Sequence, residues 1–322
     1  MKKLFIIAAL AITFIASFTV IKQIHKTTPT AAYTIGILQT ASHPALDAAR
    51  DGFIQELTNI MGDTVAFVIQ NAQGSVTQAH TIAQQFHTNK KYTGFFAIAT
   101  PATQALSAVE KKRPIFIAAV TDPNALGIIH PTTNVCGTND MVDVPATIKM
   151  LKQLLPQAKT VGILYTSGEL NSITLAEQMR QELAESHVTA LDFAVSSEAD
   201  IAAIVELACR KSDVILAPTD NTVASSIALV TSLTKKHKKP IIACDNTLVA
   251  AGALAARGVD YMLSGKQTAH IAYQVLIEGK KTYALPIEQA LTDRIFVNKH
   301  YLDELNITIP EAIKNLVHVI DQ

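Results

Sequence analysis

The order of apolar and polar positions divides the chain into short apolar runs and longer amphipathic segments. The apolar runs are rich in β-branched residues and show little alternation, which is typical of strands buried on both faces of a parallel sheet. This pattern predicts strands at 34–39, 65–70, 94–99, 115–120, 161–165, 188–193, 214–217 and 240–243.

The amphipathic segments between these strands predict helices. Apolar residues recur at three- and four-residue steps along Pro44–Met61, and Pro44 suits the first helical position. The residues at 264–267, Ser-Gly-Lys-Gln, form a capping box, and Gly279 suits the end of the helix that follows. The same periodicity predicts further helices at 77–89, 221–235 and 265–276.

Alternating strands and helices predict the α/β class, with doubly wound parallel sheets and right-handed crossovers. The segment 122–142 is rich in Pro, Gly, Thr and Asn and separates two series of strand–helix units, so it predicts a connection between two lobes of like topology. We assign 33–138 plus 253–286 to the N-terminal lobe and 139–252 plus 287–322 to the C-terminal lobe.

The first 30 residues predict a signal peptide or an N-terminal membrane anchor. Lys2 and Lys3 precede an apolar run over 4–21, and polar residues follow it. The run is longer than most cleaved signals and approaches the length of a membrane span. We therefore expect export to the periplasm or another extracytoplasmic space, with the segment either cleaved or kept as a tether in the inner membrane.

Composition and charge exclude several classes of function. Lys plus Arg equals Asp plus Glu at 27 each, so no net field draws the chain to nucleic acid or to a membrane surface. The basic run at 235–239 is expected to be a solvated helix end. The three cysteines have no metal-ligand spacing, and no cofactor or catalytic motif occurs, so we predict no metal, no cofactor and no enzyme.

Short polar side chains follow nearly every predicted strand, at the edge where open α/β sheets bind ligands. Thr100 opens a helix whose free N–H groups suit a carboxylate, and Asp220 and Asp245 suit an ammonium group. Together they suit a zwitterion such as an amino acid. Ordinary helix capping explains the same residue types, and His43 could either cap its own helix or stack on a ligand.

Several stretches in a fixed order give the chain a family resemblance over about 33–290. They are ILQ at 37–39, HPALD at 43–47, RDGF at 50–53, QNAQG at 70–74, AIATPA at 97–102, AVTDP at 119–123, NVCG at 134–137, PTDNTVAS at 218–225 and GVDY at 258–261. The chain resembles a family of ABC transporter substrate-binding proteins that includes binders of aromatic amino acids, tryptophan among them.

The resemblance implies the type I periplasmic-binding-protein fold, with three chain crossovers forming the hinge. It also implies an extracytoplasmic protein that captures a small ligand, an amino acid above all, and docks on an ABC permease with its ATPase. Carried over by motif, the ligand-binding candidates are Gln39, His43, Thr100, Pro101, Thr121, Asp122, Thr219, Asp220, Asn221 and, with a weaker match, Asp245. The alternative is a membrane-tethered sensing domain of a signalling system.

Overall fold

The computed structural model of the protein describes residues 31–289 and 291–321, and its strands form two separate sheets. In chain order the strands are β1 (Tyr33–Gln39), β2 (Val65–Asn71), β3 (Gly94–Ile98), β4 (Ile115–Ala118), β5 (Val135–Asn139), β6 (Thr160–Thr166), β7 (Thr189–Val195), β8 (Val214–Ala217), β9 (Ile241–Asp245), β10 (Ala255–Val259), β11 (Glu288–Gln289), β12 (Leu291–Asn298) and β13 (Val317–Ile320).

The first sheet has the order β11-β5-β4-β3-β1-β2, and all neighbouring strands in it run parallel. The second sheet has the order β13-β12-β10-β9-β8-β6-β7 and is parallel except for the antiparallel pair of β10 and β12. Two α/β lobes with predominantly parallel sheets confirm the predicted fold class.

Helices connect the strands within each lobe. They are α1 (Pro44–Met61), α2 (Val76–Thr88), α3 (Thr100–Val109), α4 (Val144–Leu154), α5 (Leu170–Glu185), α6 (Ile201–Lys211), α7 (Asn221–Ser225), α8 (Ile227–Lys236), α9 (Thr247–Ala250), α10 (Tyr261–Leu276) and α11 (Lys299–Glu304). The predicted bounds of α1 are confirmed, and those of α2 differ by one residue at each end.

The centre of each sheet is buried on both faces, which explains why the central strands β3, β4, β8 and β9 are almost wholly apolar. On β3, the neighbouring residues Phe95 and Phe96 point to opposite sides. Phe96 stacks on Phe53 of α1 with ring centroids 4.0 Å apart, and Phe95 stacks on Phe86 of α2 at 5.9 Å. The first lobe therefore has two hydrophobic layers around one sheet, and the second lobe is built in the same way.

The chain passes between the two lobes three times. It leaves the first lobe after β5 and returns to it after β10. The packing of α10 against α1 of the first lobe shows this return. It leaves again between β11 and β12, which belong to different sheets. The three-crossover topology that the resemblance implied is therefore present.

Sheet membership corrects three expected positions. The segment 122–142 is not wholly a connection, because it contains β5, which pairs with β4 in the first sheet. The segment 253–286 does not enter the first lobe at 253, because β10 lies in the second sheet between β9 and β12. The first lobe also keeps β11, which pairs with β5, so residues 287–289 stay with it.

Two helix predictions also change. Helix α10 begins at Tyr261 rather than at Gly265, because the Asp260 carboxylate caps it by accepting the Leu263 N–H at 3.0 Å. Ser264 lies inside the helix, with its hydroxyl 2.7 Å from that of Thr138. The helix expected at 221–235 is two helices, α7 and α8, with a break at Ser226.

The predicted signal peptide or anchor at 1–30 lies outside the described residues. Within 31–289 and 291–321, the structure has no helix that is both long enough and apolar enough to cross a membrane.

Candidate functional site

The turns at the carboxyl ends of the two sheets meet across a cleft between the lobes. In the first lobe, His43 follows β1 and Thr121 follows β4; in the second, Thr219 and Asn221 follow β8. His43 Nε2 lies 3.3 Å from Asn221 Oδ1, and the hydroxyl oxygens of Thr121 and Thr219 lie 3.2 Å apart. Both contacts join one lobe directly to the other.

An inner cavity of about 20 Å³ lies behind these contacts. Residues of both lobes line it, with Leu46, Ala119, Pro218, Ala224 and Leu248 as the apolar wall. Its polar lining is His43, Thr121, Asp140, Asn171, Thr219, Asp220, Asn221, Asp245 and Tyr261.

A larger space of about 420 Å³, the outer cleft, is also lined by residues of both lobes. The first lobe contributes the turns that contain Thr40, Gln73 and Pro101, and the second contributes Glu169 and residues 196–199. Asn221 lines both the inner cavity and the outer cleft, so the two spaces are neighbours. The outer cleft has the size of a small-molecule site.

Asp220 is the centre of a hydrogen-bond network within the second lobe. Its carboxylate accepts the Thr166 N–H at 2.6 Å, the Thr166 hydroxyl at 2.8 Å, the Val223 N–H at 2.8 Å and the Ser172 hydroxyl. Burial, followed by the neighbouring charge of Glu169, raises the pKa of Asp220 to about 7. Asp220 thus caps α7 and fixes the turn after β6.

Glu169 holds the first turn of α7 from outside the helix. One carboxylate oxygen accepts the N–H and hydroxyl of Thr222 at 3.0 and 2.8 Å, and the other accepts the Asn221 N–H at 3.0 Å and its side-chain amide at 2.6 Å. The Asn171 amide also reaches Glu169, at 3.3 Å. A carboxylate at a helix N-terminus is favourable, and here it also fixes the orientation of Asn221.

Asp140 and Asp245 are buried carboxylates with fewer partners. Asp140 accepts the Thr121 hydroxyl at 3.0 Å and the Tyr261 hydroxyl at 2.8 Å. Burial raises the pKa of Asp140 to about 6, against the effect of both hydroxyls, and the charge of Asp245 adds to the rise. Burial likewise raises the pKa of Asp245, while His43 opposes the rise. Asp245 uses one oxygen, Oδ1, for both of its bonds from Thr247.

Three buried polar atoms around the cleft have no hydrogen-bond partner among the described residues: His43 Nδ1, Asn171 Oδ1 and Thr100 Oγ1. The exposed fractions of these residues are only 7%, 6% and 3%. A buried polar group without a partner costs about 1–3 kcal/mol, so each of these atoms is an open position for a water molecule or a ligand atom.

The backbone is strained where two strands of the first lobe reach the cleft. Ala99, after β3, has a φ of 77°, and Ala119, after β4, has a φ of 57°. Residues with a Cβ rarely adopt this left-handed region, at a cost of about 1–2 kcal/mol. Both residues directly follow their strands, and Ala99 directly precedes the first residue of α3.

The candidates predicted from the sequence fall into two groups. Most line the inner cavity or the outer cleft: His43, Pro101, Thr121, Thr219, Asp220, Asn221 and Asp245. Thr100 lies directly before Pro101. Gln39 instead bonds to the Ala41 carbonyl and Asp47, and Asp122 accepts the N–H groups of Asn124 and Ala125 within its own turn.

Sequence reasoning did not select Asp140, Tyr261, Glu169 and Asn171 as site residues. Asp140 directly follows β5, so the rule that found the other turns would have found it if that strand had been predicted. Glu169 and Asn171 stand at the turn after β6, one of the polar turns that follow the predicted strands. Tyr261 lies in the GVDY stretch of the resemblance.

Comparisons with known proteins agree over nearly the whole described chain. The model of a family described as ABC transporter substrate binding protein matches residues 34–318. A tyrosine-binding protein of Clostridioides difficile (strain R20291) is 33% identical over 280 residues, which cover 85% of this chain and 81% of that protein.

Two solved structures allow a comparison of lobe arrangement. An ABC domain from Streptococcus pneumoniae in complex with L-Trp is 34% identical, with a TM-score of 0.85 over 89% of this chain and 99% of that one. The ligand-free, open structure of a substrate-binding protein with adhesive properties from Clostridium difficile is 32% identical. The match covers 90% of this chain and 99% of that one, but its TM-score is only 0.67.

Proposed function

Because the chain belongs to the ABC transporter substrate-binding protein family, we propose that it captures a small solute between its lobes and delivers it to an ABC importer. It works outside the cytoplasm, and its partners are the permease of that importer and the associated ATPase. It binds its ligand without converting it. The observation that carries the proposal is the set of unpartnered buried atoms, His43 Nδ1, Asn171 Oδ1 and Thr100 Oγ1, around one interlobe cleft.

The ligand is an amino acid, and aromatic amino acids are the first candidates. The relatives support this choice, since one is a tyrosine-binding protein and another was solved with L-Trp. The cleft supports it through chemistry. Carboxylates lie at the inner cavity, and the N-terminus of α3, which begins at Thr100, lies beside the outer cleft through Pro101.

The proposed ligand-binding residues combine the sequence candidates with those found in the structure. From the sequence we retain Thr100 and the candidates that line the two spaces, and we add four residues from the structure: Asp140, Glu169, Asn171 and Tyr261. Gln39 and Asp122 have supporting roles, since each holds a turn next to the cleft.

Capture proceeds by hinge closure about the three crossovers. At nearly equal sequence identity, the structure superposes better on the tryptophan complex than on the open, ligand-free relative, with TM-scores of 0.85 and 0.67. This difference, together with the direct contacts of His43 with Asn221 and of Thr121 with Thr219, supports a closed arrangement of the lobes.

Thermal unfolding of the full chain with the proteinogenic amino acids, and with a panel of sugars, nucleosides and oligopeptides, tests the proposal. A ligand at about 100 times its dissociation constant stabilises the folded state by about 2.7 kcal/mol, a shift of roughly 5 °C or more for a protein of this size. We expect such a shift with one or a few amino acids. A shift with another class alone would contradict the amino-acid assignment, and silence across the panel would contradict the binding function.

A further inference from the structure

The inner cavity has the size of a single small polar group. Its volume of about 20 Å³ exceeds the roughly 10–15 Å³ needed for one water-sized sphere, and an ammonium group is of similar size. The outer cleft, at about 420 Å³, is large enough for the remainder of an amino acid. Asn221 lines both spaces, so they are neighbours, as a ligand with its body in the outer cleft and one terminal group in the inner cavity requires.

The hydrogen bonds around the inner cavity define the chemistry of its open positions. The Asn221 amide nitrogen donates to Glu169 at 2.6 Å, so the Asn221 oxygen faces His43 and His43 Nε2 carries the hydrogen. In the neutral ring, His43 Nδ1 is then an acceptor, and it has no partner among the described residues.

The same reasoning applies to Asn171 and Asp245. The Asn171 amide nitrogen donates to the Thr219 carbonyl at 2.9 Å, which leaves its oxygen, Oδ1, as a buried acceptor that no described residue partners. Asp245 receives both Thr247 bonds on Oδ1, which leaves Oδ2 for another donor. The three open positions that line the inner cavity are therefore all acceptors.

Charge favours the same kind of group. Carboxylates line both spaces: Asp140, Asp220 and Asp245 at the inner cavity, Glu169 and Glu198 at the outer cleft. Among the described residues that line either space, none is Lys or Arg. The negative charge of these carboxylates stabilises a bound cation, whereas an anion finds only uncharged hydrogen-bond donors in the lining.

We propose that the inner cavity binds the primary ammonium group of the ligand through His43, Asn171 and Asp245, and that the site therefore takes primary amines with or without an α-carboxylate. Three acceptors match the three N–H donors of such a group. This inference rests on the proposed ligand site and names the part of the ligand that the site requires.

Calorimetric titration of the full chain with three matched compounds tests it. They are the amino acid that gives the largest thermal shift, or L-tyrosine if none gives a shift, the amine formed from it by decarboxylation, and the acid that lacks only the amino group. We expect the amine to bind within about tenfold of the amino acid, and the deaminated acid to bind at least about a hundredfold more weakly.

The outcomes separate this inference from the proposed function. If the amino acid binds but the amine does not, or if the deaminated acid binds within about tenfold of the amino acid, the ammonium site is overturned and amino-acid capture stands. The second of these results would also mean that the inner cavity holds only a water molecule. If amines bind and no amino acid does, the ammonium site stands and amino-acid capture falls. If nothing binds, both fall.

A charge-removing variant provides an independent test. Asp245→Asn keeps the size of the side chain and removes its charge, so we expect amine affinity to fall at least about tenfold. The matched control is Asp303→Asn, at an exposed position on α11. Unfolding in the absence of ligand checks that each variant is folded. If Asp245→Asn does not fold, Asn171→Leu, which removes a different acceptor, makes the same prediction; unchanged amine affinity in a folded variant overturns the proposal.

Discussion

The carboxylates around the cleft have two different tasks. Asp220 and Glu169 accept four and five hydrogen bonds from the second lobe, so they build the turn that presents Asn221. Asp140 and Asp245 have two each, which leaves them open to further donors. From the sequence, helix capping and ligand binding were alternatives for the same residues. In the structure, Asp220 and Glu169 hold the helix start, and Asp140 and Asp245 keep positions open for a ligand.

Asp140 should make stability depend on pH. Its pKa of about 6 lies above that of an unfolded aspartate, so the folded state holds the proton longer, and stability falls as pH rises from about 4 to about 6. From about pH 8 to about pH 5, wild type should gain about 1 kcal/mol from this residue, a gain that Asp140→Asn lacks. Urea unfolding of both proteins at the two pH values measures it.

The charge control for this experiment is the exposed Asp303→Asn, which removes a carboxylate from the surface of the second lobe. Asp220 contributes in the same direction as Asp140 up to about pH 7 in all three proteins. An Asp140→Asn variant that keeps the full pH dependence of wild type would contradict the assigned role of Asp140.

At the scale of elements, helices α1 and α10 are pressed together through two glycines. A Cβ on Gly265 would lie 2.1 Å from the Ala49 carbonyl oxygen, and one on Gly52 would lie 2.3 Å from the Met262 carbonyl oxygen. These contacts involve backbone atoms, which a rotamer change cannot relieve. The contact fixes the C-terminal segment to the opening helix of the first lobe.

Gly265→Ala should therefore destabilise the protein by about 2–3 kcal/mol through overpacking. The control is Gly168→Ala, since a Cβ at Gly168 would meet nothing within 4 Å, and we expect a change within about 0.5 kcal/mol. Chemical denaturation measures both. Equal stability of the two variants would show that α1 and α10 separate easily.

Glu110 joins helices α2 and α3 at the end of the first lobe away from the cleft turns. It is 2% exposed, accepts the N–H groups of Lys112 and Arg113, and pairs with the Arg113 guanidinium, which itself reaches the His87 carbonyl at 2.6 Å. Although burial opposes ionisation, these backbone N–H groups and the guanidinium lower the pKa of Glu110 to about 2.

Glu110→Gln should lower the free energy of unfolding by about 2–3 kcal/mol near neutral pH. Because the folded pKa is depressed, this contribution is present above about pH 4.5 and is lost as pH falls toward about 2, so wild type and variant should converge in acid. Glu311→Gln, at a side chain that is 87% exposed, serves as the control and should change little. Parallel pH dependences of wild type and Glu110→Gln would contradict the role.

Most strands could be predicted because burial on both faces makes them continuous apolar runs. Five strands were not predicted: β5, β10, β11, β12 and β13. Two of them, β5 and β10, each contain a glycine at which a Cβ would lie about 2 Å from a neighbouring strand: 2.2 Å from the Ile117 carbonyl oxygen for Gly137 and 2.0 Å from that of Cys244 for Gly258. Close packing therefore removes the apolar signal there. Candidate site residues were sought directly after the predicted strands. Because β5 was not predicted, Asp140, which directly follows it, was not found either.

For the whole molecule, the two-lobed class followed from the strand–helix alternation, whereas the three crossovers came from the family resemblance. No local sequence pattern marks a passage between lobes. A strand such as β10 or a helix such as α10 would show the same pattern of apolar and polar residues whichever lobe it joined. The pairing of β10 with β12 is a long-range property that sequence periodicity does not encode.

Ligand should keep the two lobes together. In small-angle scattering, the fragment 31–322 with saturating ligand should approach the radius of gyration of a compact chain of this length, about 19 Å, and should expand without ligand. Thr121→Val removes the contact with Thr219 and should favour the expanded form and weaken binding. Thr81→Val, at an exposed helical position, is the control. An identical radius with and without ligand would contradict hinge closure.

The return of α10 to the first lobe also governs when that lobe can fold. The hydrophobic cluster that contains Phe53 and the other core residues of α1 is completed only when Tyr261, Ala269 and Ile271 arrive. At about 5–20 residues per second, synthesis takes roughly 10–40 s to advance from residue 61 to residue 276. Throughout that interval the opening helix of the first lobe lacks its partner, so a chain halted before residue 276 presents an unfinished core to proteases and chaperones.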